Sequence, residues 1–170
     1  MRDYLELMKR VVNDIAATVA RLREFYRSPH GEIALAAVDL NELALQVIDF
    51  TRARWSDMPR QRGVEIQMHT DLPPDLPQAV GIDSEIRDAL TNLIFNAVDA
   101  MPDGGIVTVR TAVASGADSD KRFVQIEIGD TGSGMDEETK QRCLEPFFTT
   151  KGERGTGLGL AMVHSMLTRH

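Results

Sequence analysis

Cysteine is nearly absent: Cys143 is the only one in 170 residues, which excludes internal disulfides and multi-thiolate metal centres. A lone thiol in the string "QRCLEPF" reads as a packing residue rather than a nucleophile. The four histidines, His30, His69, His164 and His170, are scattered without metal-ligand spacing. Long apolar runs are missing too. None comes near the roughly 20 residues that span a bilayer, and no basic start with an apolar middle marks a secretory leader. The chain therefore reads as cytoplasmic and without membrane contact. Positive charge is also in short supply: a net charge of −7 leaves no broad basic surface for nucleic acid, so an anionic ligand has to be met by local cations.

What is present is enough for one core and an extra element. Leu5, Met8, Val12, Ile15, Val19, Leu22 and Tyr26 recur in alternating steps of three and four, the spacing of a bundle or coiled-coil seam. A helix over residues 2–27 would run roughly 39 Å, longer than a small domain covers. That length favours packing against another helix, outside the domain or in a second chain, over folding back on the same domain. "SPHG" then ends the helix. Asp39 and Glu42 have capping-box spacing for a second helix running to about Trp55. "VEIQMHT" alternates as a strand, a short apolar strand is expected over 79–82, and a long helix over 84–101 ends in "PDGG". "IVTVRTAVA" and "RFVQIEIGD" are neighbouring strands, "MDEETKQRCLEPF" holds a short helix, and a last helix starts near Leu158. The expected fold is α+β: a two-layer α/β sandwich whose mixed, mostly antiparallel sheet is covered by helices on one face, preceded by the long N-terminal helix. The expected division is residues 1–29 and 30–170.

"PFFTTKGERGTGLGLAMV" places Gly152, Gly155, Gly157 and Gly159 directly before an apolar helical run. Such a cluster either forms a flexible loop or lets a ligand approach the backbone closely. At a helix start, with unpaired N–H groups and the positive end of the dipole, the ligand would be an anion, most plausibly phosphate. Lys151 and Arg154 agree with that reading. The spacing matches neither a P-loop nor the dinucleotide fingerprint. On the 84–101 helix, Ile86, Leu90, Leu93, Ile94, Ala97 and Met101 share the apolar face, and Glu85, Asp88, Asn92, Asn96 and Asp99 share the opposite stripe. Periodicity alone makes that stripe the solvent side. Asparagine is a mediocre helix former, however, and its amide oxygen suits Mg2+. In "EIGDTGSGM", Asp130 closes a strand ahead of Gly132 and Gly134. As a buried carboxylate it would accept from an amino group such as that of adenine; alternatively, it opens an ordinary Asp-x-Gly turn.

Taken together and in order, "NLIFNAVDAMPDGG", "DTGSGM", "EPFFTTK" and "GTGLGL" resemble the four sequence boxes of the ATP-binding domain of two-component sensor histidine kinases, closest to the nitrogen-regulation subgroup. The resemblance covers about residues 38–166, and the N-terminal seam is similar to the second helix of that family's dimerisation hairpin. It implies a protein-histidine kinase with ATP and Mg2+ as cofactors. Asn96 would hold the metal, and Asn92 and Lys151 would be the catalytic candidates. Asp99, Asp130, Gly132, Gly134, Phe148, Gly155, Thr156, Gly157, Leu158 and Gly159 would line the nucleotide site together with Asn96 and Lys151. Residues 135–154 would be a lid, with Phe147 and Phe148 as its apolar anchor. The implied partners are a phosphoacceptor histidine domain of the same protein, a response regulator, and a second copy joined through the N-terminal helix. No histidine here has the family's acceptor context, and the family continues with further strands, so the chain reads as a fragment of a longer kinase. The same superfamily offers a clamp-driving ATPase, whose water-activating glutamate would stand where Asn92 is. A non-catalytic nucleotide-binding dimerisation module is the other alternative.

Overall fold

The computed structural model describes residues 35–115, 122–152 and 155–170. The expected seam helix over 2–27 lies outside the described residues, as does Arg154. The first helix, α1 (Leu40–Phe50), starts where expected: Asp39 is extended and its carboxylate accepts the Glu42 N–H at 2.9 Å. Leu40, Leu43, Ala44 and Val47 bury one face of α1. The helix does not continue to Trp55. The Thr51 hydroxyl donates to the Val47 carbonyl at 2.7 Å, and the Trp55 indole N–H donates to the Ile48 carbonyl at 2.9 Å. With side chains taking the carbonyls of the last turn, the backbone widens into a π-helical turn, Ala53–Asp57, then closes with the short α2, Met58–Arg60.

Three strands form the main sheet in the order β2-β4-β5: β2 (Ile66–Asp71), β4 (Gly105–Ser115) and β5 (Arg122–Asp130). The central strand β4 pairs in parallel with β2, Met68 opposite Val107, and antiparallel with β5, Val109 opposite Ile128. Between β2 and β4 the chain makes β3 (Ala79–Gly81) and the 17-residue α3 (Asp83–Asp99). The mixed sheet with helices on one face is as expected. The strands nevertheless fall into two ladders, because β3 pairs antiparallel with β1 (Ala36–Val38) and not with the main sheet. No alternation announces β1, whose first two residues are exposed and only Val38 buried.

The core lies where α1, α3 and the last helix, α5 (Gly159–Arg169), cover the sheet. Val107 of β4 and Ile66 of β2 share one buried cluster with Val47, Leu90 and Ile94, with Val124, Ile126 and Ile128 of β5 packed beside them, and Val109 of β4 is buried as well. Thr111, buried on the same face, donates to Asn41 Oδ1 at 2.7 Å, so its hydroxyl enters the core paired. On the other face Arg110 lies between Asp71 and Glu127, at 3.8 and 3.9 Å, an exposed ion-pair row that keeps this side in water.

Candidate functional site

The helix α3 has two working faces. Ile86, Ala89, Leu90, Ile94, Ala97 and Val98 are buried in the core. On the opposite stripe Asn92 and Asn96 are half-buried, where periodicity alone expects solvent. The cover comes from the start of α5: a Cβ added at Gly159 would stand 3.5 Å from Asn92 Oδ1 and 3.7 Å from Asn96 Nδ2. Leu158, the residue before α5, is fully buried and anchors this end, while Ala161, Val163 and Met166 bury the helix. The first hydrogen bond of α5 runs from Met162 N–H to the Leu158 carbonyl at 2.9 Å, so the N–H groups of the residues before Met162 have no acceptor within the helix.

A second chain segment closes on the same stripe. The Lys151 ammonium donates to Asn96 Oδ1 at 3.2 Å and to Asp99 Oδ2 at 3.0 Å. From the π-helical turn, Arg54 reaches the other oxygen of Asp99 at 2.6 Å, and its guanidinium lies 5.7 Å from the centre of the Phe95 ring. Three elements distant in sequence thus meet around Asn96 and Asp99. Arg54 lies outside the four quoted strings, and Phe95, inside the first of them, has no role assigned from the sequence; their position on the fold brings them to this cluster.

The segment from "DTGSGM" to α5 is held by close backbone contacts. Thr131 ties the end of β5 to β4, its hydroxyl accepting the Ile106 N–H at 3.0 Å and its own N–H donating to the Ile106 carbonyl at 3.2 Å. Gly132 is required next, since a Cβ there would run into the carbonyl of Ala100 at the end of α3, to which the Ser133 N–H donates at 3.0 Å. Asp130 is exposed, not buried as expected, and its Oδ1 accepts the Gly132 N–H at 2.9 Å, the Asp-x-Gly turn. Gly134 is exposed with a φ of +66°. Asp136 then caps α4 (Glu137–Arg142), accepting the Thr139 N–H at 2.7 Å, and hydrogen bonds from the Thr139 side chain and backbone hold its carboxyl below the ordinary range.

Phe147 has a φ of +68°, the only described non-glycine residue in the left-handed region, and its ring is exposed. Its backbone, not its side chain, anchors the segment: the Phe147 N–H donates to the Gly157 carbonyl at 2.9 Å. Gly157, with a φ of +64°, packs so closely that a Cβ would strike the Phe147 carbonyl carbon. Phe148 is half-buried beneath Arg142, whose guanidinium carbon lies 4.3 Å from the ring centre. Gly155 lies against the Thr149 hydroxyl, and Thr156 is half-buried between the two glycines. His164, on α5, is exposed, and Cys143 is half-buried with its thiol donating to the Lys140 carbonyl.

The family described as histidine kinase-, DNA gyrase B-, and HSP90-like ATPase matches residues 81–170, the stretch from β3 through α5. Sensor histidine kinase ZraS of Escherichia coli (strain K12) is 33% identical over 168 residues, covering 97% of this chain and 32% of the relative. Among solved structures, full-length ShkA in complex with AMPPNP superposes with a TM-score of 0.76 at 25% identity, over 98% of this chain and 33% of that one. The catalytic domain of histidine kinase ThkA superposes with a TM-score of 0.62 at 26% identity, over 81% of this chain and 83% of that one. The chain thus spans about a third of ZraS, and its fold is that of histidine kinase catalytic domains. With the match running through α3, the "DTGSGM" turn and the glycine segment, the chain belongs to the histidine kinase-, DNA gyrase B-, and HSP90-like ATPase family.

Proposed function

We propose that the chain is the ATP-binding catalytic domain of a sensor histidine kinase, which positions the γ-phosphoryl group of ATP for transfer to a histidine on a dimerisation domain and from there to a response regulator. The observation that carries this reading is the convergence of Asn96, Lys151 and the N-terminus of α5 on one stripe of α3. The backbone N–H groups from Gly157 to Gly159 meet phosphate oxygens, Lys151 adds charge, and Asp130 accepts from the adenine amino group through its remaining oxygen. Gly155 and Thr156 shape the approach. Gly132 and Gly134 turn the chain beside the base, and Phe148 holds the lid under Arg142.

The donors fit Mg2+. Among the described residues no group of three His, Cys, Asp or Glu side chains could cage a metal, and Mg2+ suits a site with one or two protein oxygens completed by phosphate and water. Asn96 would supply such an oxygen, with Asn92 beside it, once the Lys151 ammonium now 3.2 Å from Asn96 Oδ1 turns to the phosphates. A metal held there would neutralise charge on the phosphates. Asn92, an amide, does not take a proton from water, so transfer to a protein acceptor is favoured over hydrolysis. Asn96→Ala is expected to remove most Mg2+-dependent ATP binding with the fold intact, because Asn96 is not part of the apolar face. Calorimetry with ATP, with and without Mg2+, tests this, and unchanged affinity would exclude Asn96 as the ligand.

Residues 1–29 are proposed as the second helix of the dimerisation hairpin, and 30–170 as the catalytic domain. In this reading the chain works in the cytoplasm, and no described helix is long and apolar enough to cross a membrane. Light scattering on the chain and on a version starting at His30 should find self-association only in the former. Two monomers at equal concentration would assign the seam another use.

A further inference from the structure

The carboxylate of Asp99 stands among groups that would meet a triphosphate, yet it carries the same sign of charge as the ligand. Left alone it would repel phosphate and hold the Lys151 ammonium, which it contacts at 3.0 Å. Arg54 changes that balance. Its 2.6 Å contact to the opposite oxygen is the shorter of the two and is fixed from behind, with the guanidinium over Phe95 and the Nε atom buried with no hydrogen-bond partner among the described residues. A guanidinium so held has little freedom to follow a ligand, whereas Lys151 sits on the segment that closes the site. The side chains of Arg54, Asp99 and Lys151 are 41%, 31% and 37% exposed, so the cluster is half in solvent and its charges are moderately screened.

We infer that Arg54, outside the four sequence boxes, is a positioning residue that sets the charge of the nucleotide site: by holding Asp99 it leaves the Lys151 ammonium available to phosphate. Two cations and one carboxylate give the cluster one net positive charge. Without Arg54 the cluster is neutral, and Lys151, already 3.0 Å from Asp99 and 3.2 Å from Asn96 Oδ1, is held by the full charge of a carboxylate that it no longer shares. Asp99, in turn, orients both cations and need not touch the nucleotide. The inference rests on the reading of this site as a nucleotide pocket.

Calorimetric titration of the chain with Mg2+-ATP at low and moderate salt tests it on four variants. Arg54→Met keeps an unbranched apolar stem without the charge or the buried Nε–H, and should weaken binding about fivefold to tenfold, an effect that shrinks as salt screens the cluster. Arg54→Lys keeps the charge and should stay within about twofold of the unsubstituted chain. Asp99→Asn is read together with Arg54→Met: the double variant should recover the affinity that Arg54→Met alone loses, since Lys151 then has no competing carboxylate. Melting by circular dichroism identifies any variant that fails to fold, and the Arg54→Lys and double-variant results then decide the question. Equal affinity of Arg54→Met and the unsubstituted chain would overturn the inference alone. A double variant as weak as Arg54→Met would also overturn it, because Arg54 would then act by direct contact or by shape. If the unsubstituted chain itself binds no ATP, the nucleotide reading fails and the inference with it.

Discussion

Gly157→Ala is a single methyl group placed where the backbone has no room for it. The residue sits at a φ of +64°, where an L side chain costs about 1–2 kcal/mol. The new Cβ would also strike the Phe147 carbonyl carbon, so the 2.9 Å bond from Phe147 N–H to the Gly157 carbonyl has to lengthen or break, at about 1 kcal/mol more. The sum is roughly 2–3 kcal/mol. Where it is felt depends on what the contact does. If the Phe147–Gly157 clasp holds the glycine segment in its phosphate-facing shape, the cost falls on binding, and ATP affinity drops about thirtyfold to a hundredfold. Global stability should fall much less, because Leu158 and the buried face of α5 lie beyond the distorted residue. Paired measurements of Mg2+-ATP affinity by calorimetry and of melting temperature separate the two effects. A Gly157→Ala chain that binds ATP within about twofold of the unsubstituted protein would refute the reasoning.

Two further outcomes follow from the core and the caps. Ile94, 1% exposed at the centre of the core, should lose about 2–5 kcal/mol of stability as Ile94→Ala in urea denaturation, with the unfolding slope unchanged. The Asp136 carboxyl is lowered in the folded chain, chiefly by its hydrogen bonds to Thr139, so its capping contribution is fully present above the unfolded-state value and is lost as pH falls through the lower folded value. The Thr139 amide resonance should therefore titrate only in acid, below the ordinary carboxylate range, and Asp136→Asn should abolish that titration.

The elements legible in the sequence are those whose residues repeat a pattern. Ile86, Leu90, Ile94 and Ala97 recur at helical spacing, and the β5 string alternates Val124, Ile126 and Ile128 inward against Gln125 and Glu127 outward; both elements formed as expected. β1 is too short for a pattern. The end of α1 depends on Thr51 and Trp55 side chains reaching back to its carbonyls, a tertiary choice that propensity does not encode. Within the site, Asn92 and Asn96 are marked by residue type alone, and the start of α5 at Gly159 accounts for their partial burial, whereas Asp130, expected to be buried, is exposed in a tight turn. Arg54 was out of reach because one widened helical turn decides which way it points.

The two faces of α3 also set where the chain tolerates changes in length. Ile94 belongs to the core and Asn96 to the site, two residues apart on one rod, and each residue advances a helix by about 100°. A single insertion between Ile86 and Asn96 would rotate the asparagines toward the sheet and bring charged side chains inward, so neither half of the molecule could absorb it alone. The proline-rich connection around Pro73, Pro74 and Pro77 is largely exposed and without regular structure; it is held where Asn41 donates to the Pro73 carbonyl at 2.7 Å and where Leu76 packs against the core, but no helical register runs through its exposed positions. Inserted peptides or labels belong there, and a homologue that is longer than this chain should carry its extra residues in such connections, with α3 unchanged in length.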